Sequence, residues 1–262
     1  MKLSNITPKQ NEILLYLYKF RFLHTKQLQT LFNHKDPQRI KAWLRNLKEN
    51  GYVTMDYSRK TFGENTKPAV YSLATKARHI LKENDKCDLT VLNKIYKEKK
   101  RTKKFINRCL AVADIYLFFL SQQKENEELY FFTESNLARY DYFPNPLPTA
   151  YIAVKTTHQT RRYFLDLFEE YTPPFVVRNR VKTYLNYASS GSWEANANNE
   201  PLPSVLFICP TVPLKKHIAY YAKSLFAKNF EEKIGLFLTT KDTIKYKAEN
   251  IIWEKVTISN KE

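Results

Sequence analysis

The sequence predicts a two-domain chain of mixed α+β and α/β class: an N-terminal winged helix-turn-helix, then a three-layer α/β domain. Three observations predict it. Residues 7–82 read as helices followed by a hairpin, residues 105–262 alternate strands with helices, and positive charge crowds at the front. With 262 residues, 43% hydrophobic and 26% charged, the chain is long enough for two packed cores.

Thr7-Pro8-Lys9-Gln10 opens the first helix. Thr caps, Pro suits the first helical position, and Gln closes a capping box. Ile13, Leu14, Leu17 and Tyr18 repeat at helical spacing, and the helix ends near Phe20. Thr25-Lys26-Gln27-Leu28 opens a short second helix, with Leu28, Leu31 and Phe32 inward. Asp36-Pro37 opens a third, whose apolar stripe is Ile40, Trp43, Leu44 and Leu47 and whose stop is Gly51. Strands are predicted over 52–57 and 69–73, joined by the polar, basic loop 58–68, and a further helix over 75–82.

Residues 83–104 are polar and end in Lys97-Glu98-Lys99-Lys100-Arg101-Thr102-Lys103-Lys104, which reads as a basic linker or helix. A helix over 105–122 follows. Strands are then predicted over 129–132, 151–154, 162–168, 204–210, 234–239 and 251–256, with helices over 178–188 and 215–228. Residues 189–192 and 196–203 read as loop. The nearly unbroken apolar run Ser204 to Pro210 marks a strand buried on both faces. The domains expected are 1–84, the segment 85–104, and 105–262; strand–helix alternation implies three layers in the last.

The chain carries 43 Lys and Arg against 26 Asp and Glu, a net +17. Residues 1–84 hold 16 basic and 6 acidic side chains, residues 85–104 hold 8 and 3, and residues 105–262 hold 19 and 17. A compositional bias toward lysine would not spare the last stretch. The asymmetry points to a polyanion-binding front and a second domain with another task.

Several classes are disfavoured. Gly numbers only 4, against any Gly-rich phosphate loop. No run of about 18 apolar residues is present, so no membrane span is expected. The start MKLSNITPKQ lacks the apolar stretch of a secretory signal. Cys87, Cys109 and Cys209 are scattered, as free thiols of a reducing, cytoplasmic setting would be. His24, His34, His79, His158 and His217 form no metal-binding spacing, and no Gly-x-Ser-x-Gly elbow exists. No cofactor and no metal are expected.

In a helix-turn-helix the second helix of the pair enters the major groove. Here that is the helix after Asp36. Opposite its apolar stripe lie Gln38, Ala42 and Arg45, with Lys41 on a flank. Gln suits adenine edges and Arg suits guanine edges. Arg39 and Lys48 lie nearer the sides, where phosphate contact is natural. Arg59, Lys60 and Lys67 place charge on the wing, and Lys99, Lys100 and Arg101 add sequence-independent affinity. Any solvated helix also exposes polar residues; it is the group that favours double-stranded DNA. Trp43 and most of the 18 Tyr and 17 Phe read as core rather than as base-stacking groups.

Residues 17–28, Arg45-Asn46-Leu47-Lys48-Glu49-Asn50-Gly51-Tyr52 and Pro68-Ala69-Val70-Tyr71-Ser72-Leu73 resemble the winged-helix front of the plasmid replication-relaxation family. Leu110-Ala111-Val112-Ala113-Asp114, Glu134 after a strand, and Val205-Leu206-Phe207-Ile208-Cys209-Pro210-Thr211 extend the likeness over roughly 9–240. The resemblance implies a DNA-binding protein of plasmids or other mobile elements, linked to replication, mobilisation or its regulation. It also implies a second domain similar to a PD-(D/E)xK nuclease. Such a fold needs paired acids for a divalent metal. This sequence departs from that pattern, with Pro148-Thr149 in place of Pro-Asp and Phe168 in place of an acid two residues after Asp166. Glu134 and Asp166 are left as the candidate carboxylates, so an inactive nuclease-like domain is expected. Asp114 is a surface or capping charge, or a ligand. Replication or conjugation proteins, and a second copy in a homodimer, are the expected protein partners. The alternatives are a metal-dependent endonuclease and a transcriptional repressor whose second domain binds a partner or small ligand.

Overall fold

The structure is a computed structural model; it describes residues 6–57, 67–198, 200–227, 234–245 and 252–257. The chain forms two compact units, Met1–Ser121 and Gln122–Glu262.

In the first unit, helix α1 spans Pro8–Phe20. The Thr7 hydroxyl accepts from the Gln10 amide, and Gln10 Oε1 accepts from Thr7 N at 3.0 Å. Ile13, Leu14 and Leu17 are buried. The helix stops at Arg21, whose φ of 68° breaks the repeat. Strand β1 is Leu23–His24 and helix α2 is Thr25–Leu31. The cap of α2 is His24 rather than Thr25: its Nδ1 accepts from Gln27 N at 3.2 Å. Helix α3 spans Pro37–Glu49, with the Asp36 carboxylate accepting from Gln38 N at 2.8 Å. Gly51, at φ 74°, turns the chain out of it.

Strands β2 (Val53–Asp56) and β3 (Val70–Leu73) pair antiparallel, and β1 adds to the other side of β3. Leu23 faces Tyr71 and Val53 faces Leu73. A 3-10 turn (Thr75–Ala77) runs into α4 (Arg78–Leu81). These elements follow the order expected from the sequence, with β1 as an addition.

Residues 85–104, expected as linker or helix, are helical in short pieces. They form α5 (Leu89–Leu92) and a 3-10 turn (Ile95–Lys100) that buries Leu92, Ile95 and Glu98. Tyr18 Oη accepts from Asp88 N at 2.7 Å, and Glu98 pairs with Arg21. Helix α6 (Lys103–Gln122) belongs to this unit rather than to the second. The reason is packing: Phe20 meets Tyr116 at 5.2 Å between ring centroids, Phe22 meets Phe105 at 6.2 Å, and Gln27 bonds to α6. By length and hydropathy α6 is just apolar enough to cross a membrane, which the sequence reading did not expect; it carries Arg108 and Asp114 and buries Ile106, Val112, Ala113, Ile115 and Phe118.

In the second unit, strands β4 (Glu128–Thr133), β5 (Ala150–Lys155) and β6 (Thr160–Leu167) form an antiparallel meander. Short α7 is Glu134–Leu137. From β6 the chain crosses by α8 (Pro174–Ser189) and α9 (Ser192–Asn196) to β7 (Ser204–Cys209), parallel to β6. It then crosses by α10 (Val212–Phe226) to β8 (Leu236–Thr240), parallel to β7. Short α11 (Lys241–Lys245) and β9 (Glu254–Lys255), antiparallel to β8, follow. The sheet order is the chain order, β4 to β9.

Helices α8 and α10 pack on each other, so they cover one face of the sheet. Two successive crossovers of the same hand, stepping in the same direction, must lie on the same side. This accounts for one of the layers expected; on the opposite face of the sheet Ile152, Leu165, Leu206 and Ile208 are buried as well. Phe164, Phe207, Val177, Val181, Tyr184, Trp193 and Ile218 fill the space between the sheet and its helices.

Candidate nucleic-acid interface

Helix α3 is held by Ile40, Leu44 and Leu47, each no more than 1% exposed. Gln38, Arg39, Lys41, Arg45 and Lys48 are all exposed. The Arg39 guanidinium lies 5.9 Å from the centre of the Trp43 ring, to one side of the helix. Arg45 lies close enough to the Tyr71 hydroxyl to act on its ionisation: burial raises that pKa, and a bond to Thr25 and the Arg45 charge oppose the rise. Asn46 is tied inward, its Oδ1 accepting from Gln10 Nε2 at 2.8 Å.

Lys67 is exposed where the chain approaches β3; Arg59 and Lys60 lie outside the described residues. Lys99 and Lys100 are exposed. Arg101 is turned toward the protein, with its guanidinium 4.8 Å from the Phe105 ring centre and 4.0 Å from the Glu98 carboxylate. That placement weakens it as a phosphate contact.

Asp114 has a structural partner. Its Oδ1 accepts from Gln27 Nε2 at 2.7 Å, while the same amide donates to Leu110 O at 2.8 Å. Gln27, 1% exposed, thus ties α2 to α6. Sequence reasoning placed Gln27 only at a helix start.

In the second unit the candidate acids part company. Glu134 is exposed at the first position of α7, its amide donating to Thr149 O at 3.3 Å. Asp166 is 6% exposed on β6. One oxygen accepts from Thr149 N at 3.1 Å and Thr149 Oγ1 at 3.2 Å. The other accepts from Arg180 Nε and from Tyr184 Oη, the latter at 2.9 Å. Arg180 also donates to Tyr184 Oη at 2.8 Å and to the Pro146 carbonyl. Burial alone would lower the Arg180 pKa, but Asp166 and Tyr184 outweigh it and the net direction is upward. Burial, then the Asp166 charge, push the Tyr184 hydroxyl well above its usual range. Arg180 and Tyr184 therefore hold fixed protonation states near neutrality. A metal ion at Asp166 would have to displace a guanidinium. The position two residues on, Phe168, is buried against Phe207 at 5.0 Å between centroids.

Arg180 and Tyr184 escaped the sequence reading. A signal existed: Val177, Arg180, Val181 and Tyr184 share one helical stripe, and an arginine in an apolar stripe needs a buried partner. Among the described residues no group of three or more His, Cys, Asp or Glu is placed to hold a metal. Burial raises the thiols of Cys87 to about 11 and of Cys109 and Cys209 to about 12, which makes them poor nucleophiles.

Fold and surface define a mixed helix-and-sheet protein with two sheets, its excess positive charge on the helical front. The family model for replication-relaxation matches residues 14–202, and the chain belongs to that family. No curated protein matches it. Among solved structures, a point mutant of ZitR from Lactococcus lactis is 18% identical, with 47% of this chain and 77% of that one covered at a TM-score of 0.27. Restriction endonuclease FokI is 10% identical, with 91% of this chain and 44% of that one covered at a TM-score of 0.35. FokI bound to DNA is also 10% identical, with 94% and 47% covered at a TM-score of 0.31. The chain spans under half the length of the FokI chains.

Proposed function

We propose that this chain is a double-stranded DNA-binding protein of a plasmid or other mobile element, acting in replication, mobilisation or its regulation. The observation that carries the proposal is α3: a helix anchored by three buried aliphatic side chains, presenting Gln38, Arg39, Lys41, Arg45 and Lys48 outward. It sits in the unit that holds most of the positive excess. In this reading the first unit is a winged helix-turn-helix. The helix α3 lies in the major groove, and Lys41, Lys48 and Lys67 neutralise phosphates. The second unit is a nuclease-like scaffold for contact with replication or transfer proteins, or with a second copy. Asp166 supports that choice over a nuclease, because both its oxygens are already filled by Thr149, Arg180 and Tyr184.

Binding of the full chain to a pool of random duplexes at about 0.15 M salt tests the proposal. Affinity should fall steeply with salt, and each of Lys41→Ala, Lys48→Ala and Lys67→Ala should flatten the log–log slope by about 0.9. Absence of salt-dependent duplex binding would overturn it. Selected sites at an origin of replication or transfer fit the role proposed, whereas sites confined to promoters would make the protein a repressor.

A further inference from the structure

Successive residues of an α-helix turn by about 100°. Ile40, Leu44 and Leu47 of α3 are buried, and directly opposite them run Gln38, Ala42, Arg45 and Glu49, all exposed. Neighbours on the same helix have other tasks. Asn46 is held by Gln10, Arg39 lies beside Trp43, and Lys41 and Lys48 occupy the far flank. The outward edge therefore presents, turn by turn, an amide, a methyl, a guanidinium and a carboxylate.

Each of these groups has its own complement in the major groove. An amide pairs with adenine N6 and N7, a methyl with the thymine methyl, a guanidinium with guanine O6 and N7, and a carboxylate with the cytosine amino group. At a rise of about 1.5 Å per residue, Gln38 and Arg45 stand about 10 Å apart, or about three base-pair steps of 3.4 Å. Glu49 stands about two steps further.

We infer that Gln38, Ala42, Arg45 and Glu49 form the sequence-reading edge. Its ligand is duplex DNA carrying an adenine and a guanine about three base pairs apart, with a cytosine amino group at the Glu49 end. This rests on the DNA-binding reading above. Glu49 is the discriminating residue. Where no amino group meets it, its carboxylate faces a polyanion without a partner, so it rejects wrong sequences more than it attracts right ones.

Selection from a random duplex pool with the full chain tests this, using wild type, Gln38→Ala, Arg45→Ala and Glu49→Gln, each checked for retained helical circular dichroism. Wild type should recover the spaced adenine and guanine. Arg45→Ala should lose preference at the guanine alone, and Gln38→Ala at the adenine alone, by about fivefold or more. Glu49→Gln should relax the cytosine position and bind random duplex several times more tightly. A wild-type motif left unchanged by all three substitutions would overturn the assignment, as would salt-sensitive binding without any motif; in both cases DNA binding itself stands. No duplex binding by wild type would instead overturn the function proposed above.

Discussion

Replacing Arg180 by methionine should destabilise the second unit by about 3–4 kcal/mol. The substitute keeps an unbranched side chain of similar reach, so the loss is chiefly electrostatic. Asp166, 6% exposed, would keep three donors, Thr149 N, Thr149 Oγ1 and Tyr184 Oη, but lose the guanidinium that balances its charge. Breaking a buried pair from one side costs about 3–5 kcal/mol. The surviving donors hold the loss at the low end, and the Pro146 carbonyl, deprived of Arg180 Nη1, adds about 1 kcal/mol. Asp166→Asn in the same chain removes the stranded charge and should recover about half of the loss or more. Two units need not unfold together, so the probe must be local. Trp193 provides one: it is 3% exposed and its ring lies 5.8 Å from that of Phe164. With Trp43 and Trp253 changed to Phe, urea unfolding followed by Trp193 fluorescence reports this core. A loss below about 1 kcal/mol, or no recovery in the double variant, would refute the account of Asp166 as a structural counterion.

Two further outcomes concern the first unit. His24 caps α2 through an unprotonated Nδ1, and burial, chiefly, lowers its pKa below 6.5 despite Asp114 nearby. The unfolded chain takes up the proton first, so this stability is full above the unfolded value and is lost as the pH drops through the lower, folded one. Thermal melts should show wild type losing more than His24→Asn, which caps without titrating, and parallel profiles would count against the cap. Asn46→Ala strands Gln10 Nε2, 4% exposed at Gln10, and should cost about 1–3 kcal/mol in urea unfolding read by Trp43. Asn46→Asp keeps an acceptor there and should cost less.

Much of the first unit was legible because each boundary has a local cause. Thr7 and Gln10 close the predicted capping box, Asp36-Pro37 opens α3, and Gly51 ends it at positive φ. The exposed side of α3 followed from its buried stripe. What stayed hidden was set at long range. Strand β1 is two residues long and shows no alternation, so only pairing with Tyr71 and Val70 defines it. Residues 85–104 look like a polar linker, yet Leu92 and Ile95 suffice to dock them, and the ion pair to Arg21 spans distant sequence. In the second unit, strand order and the side taken by α8 and α10 depend on crossover direction, which periodicity does not encode. Asp166 was visible as an acid, but the arginine that claims it is on another element.

The sheet of the second unit mixes two kinds of neighbour, and this sets a timetable. Strands β5 and β6 meet across a short turn, with Lys155 opposite Thr160, so their pairing closes a small loop. Leu165 reaches Leu206 only after all of α8 and α9 has been laid down between them. Loop-closure entropy delays the second event relative to the first. During refolding, pulsed hydrogen exchange should find amides of the β5–β6 hairpin protected before those of β7. The bond between Asp166 and Arg180, 14 residues apart, fastens the hairpin to the helix that begins the crossover. It clasps the early strand to the segment that leads to β7, and the folding and unfolding rates of Arg180→Met report at which of the two steps it closes.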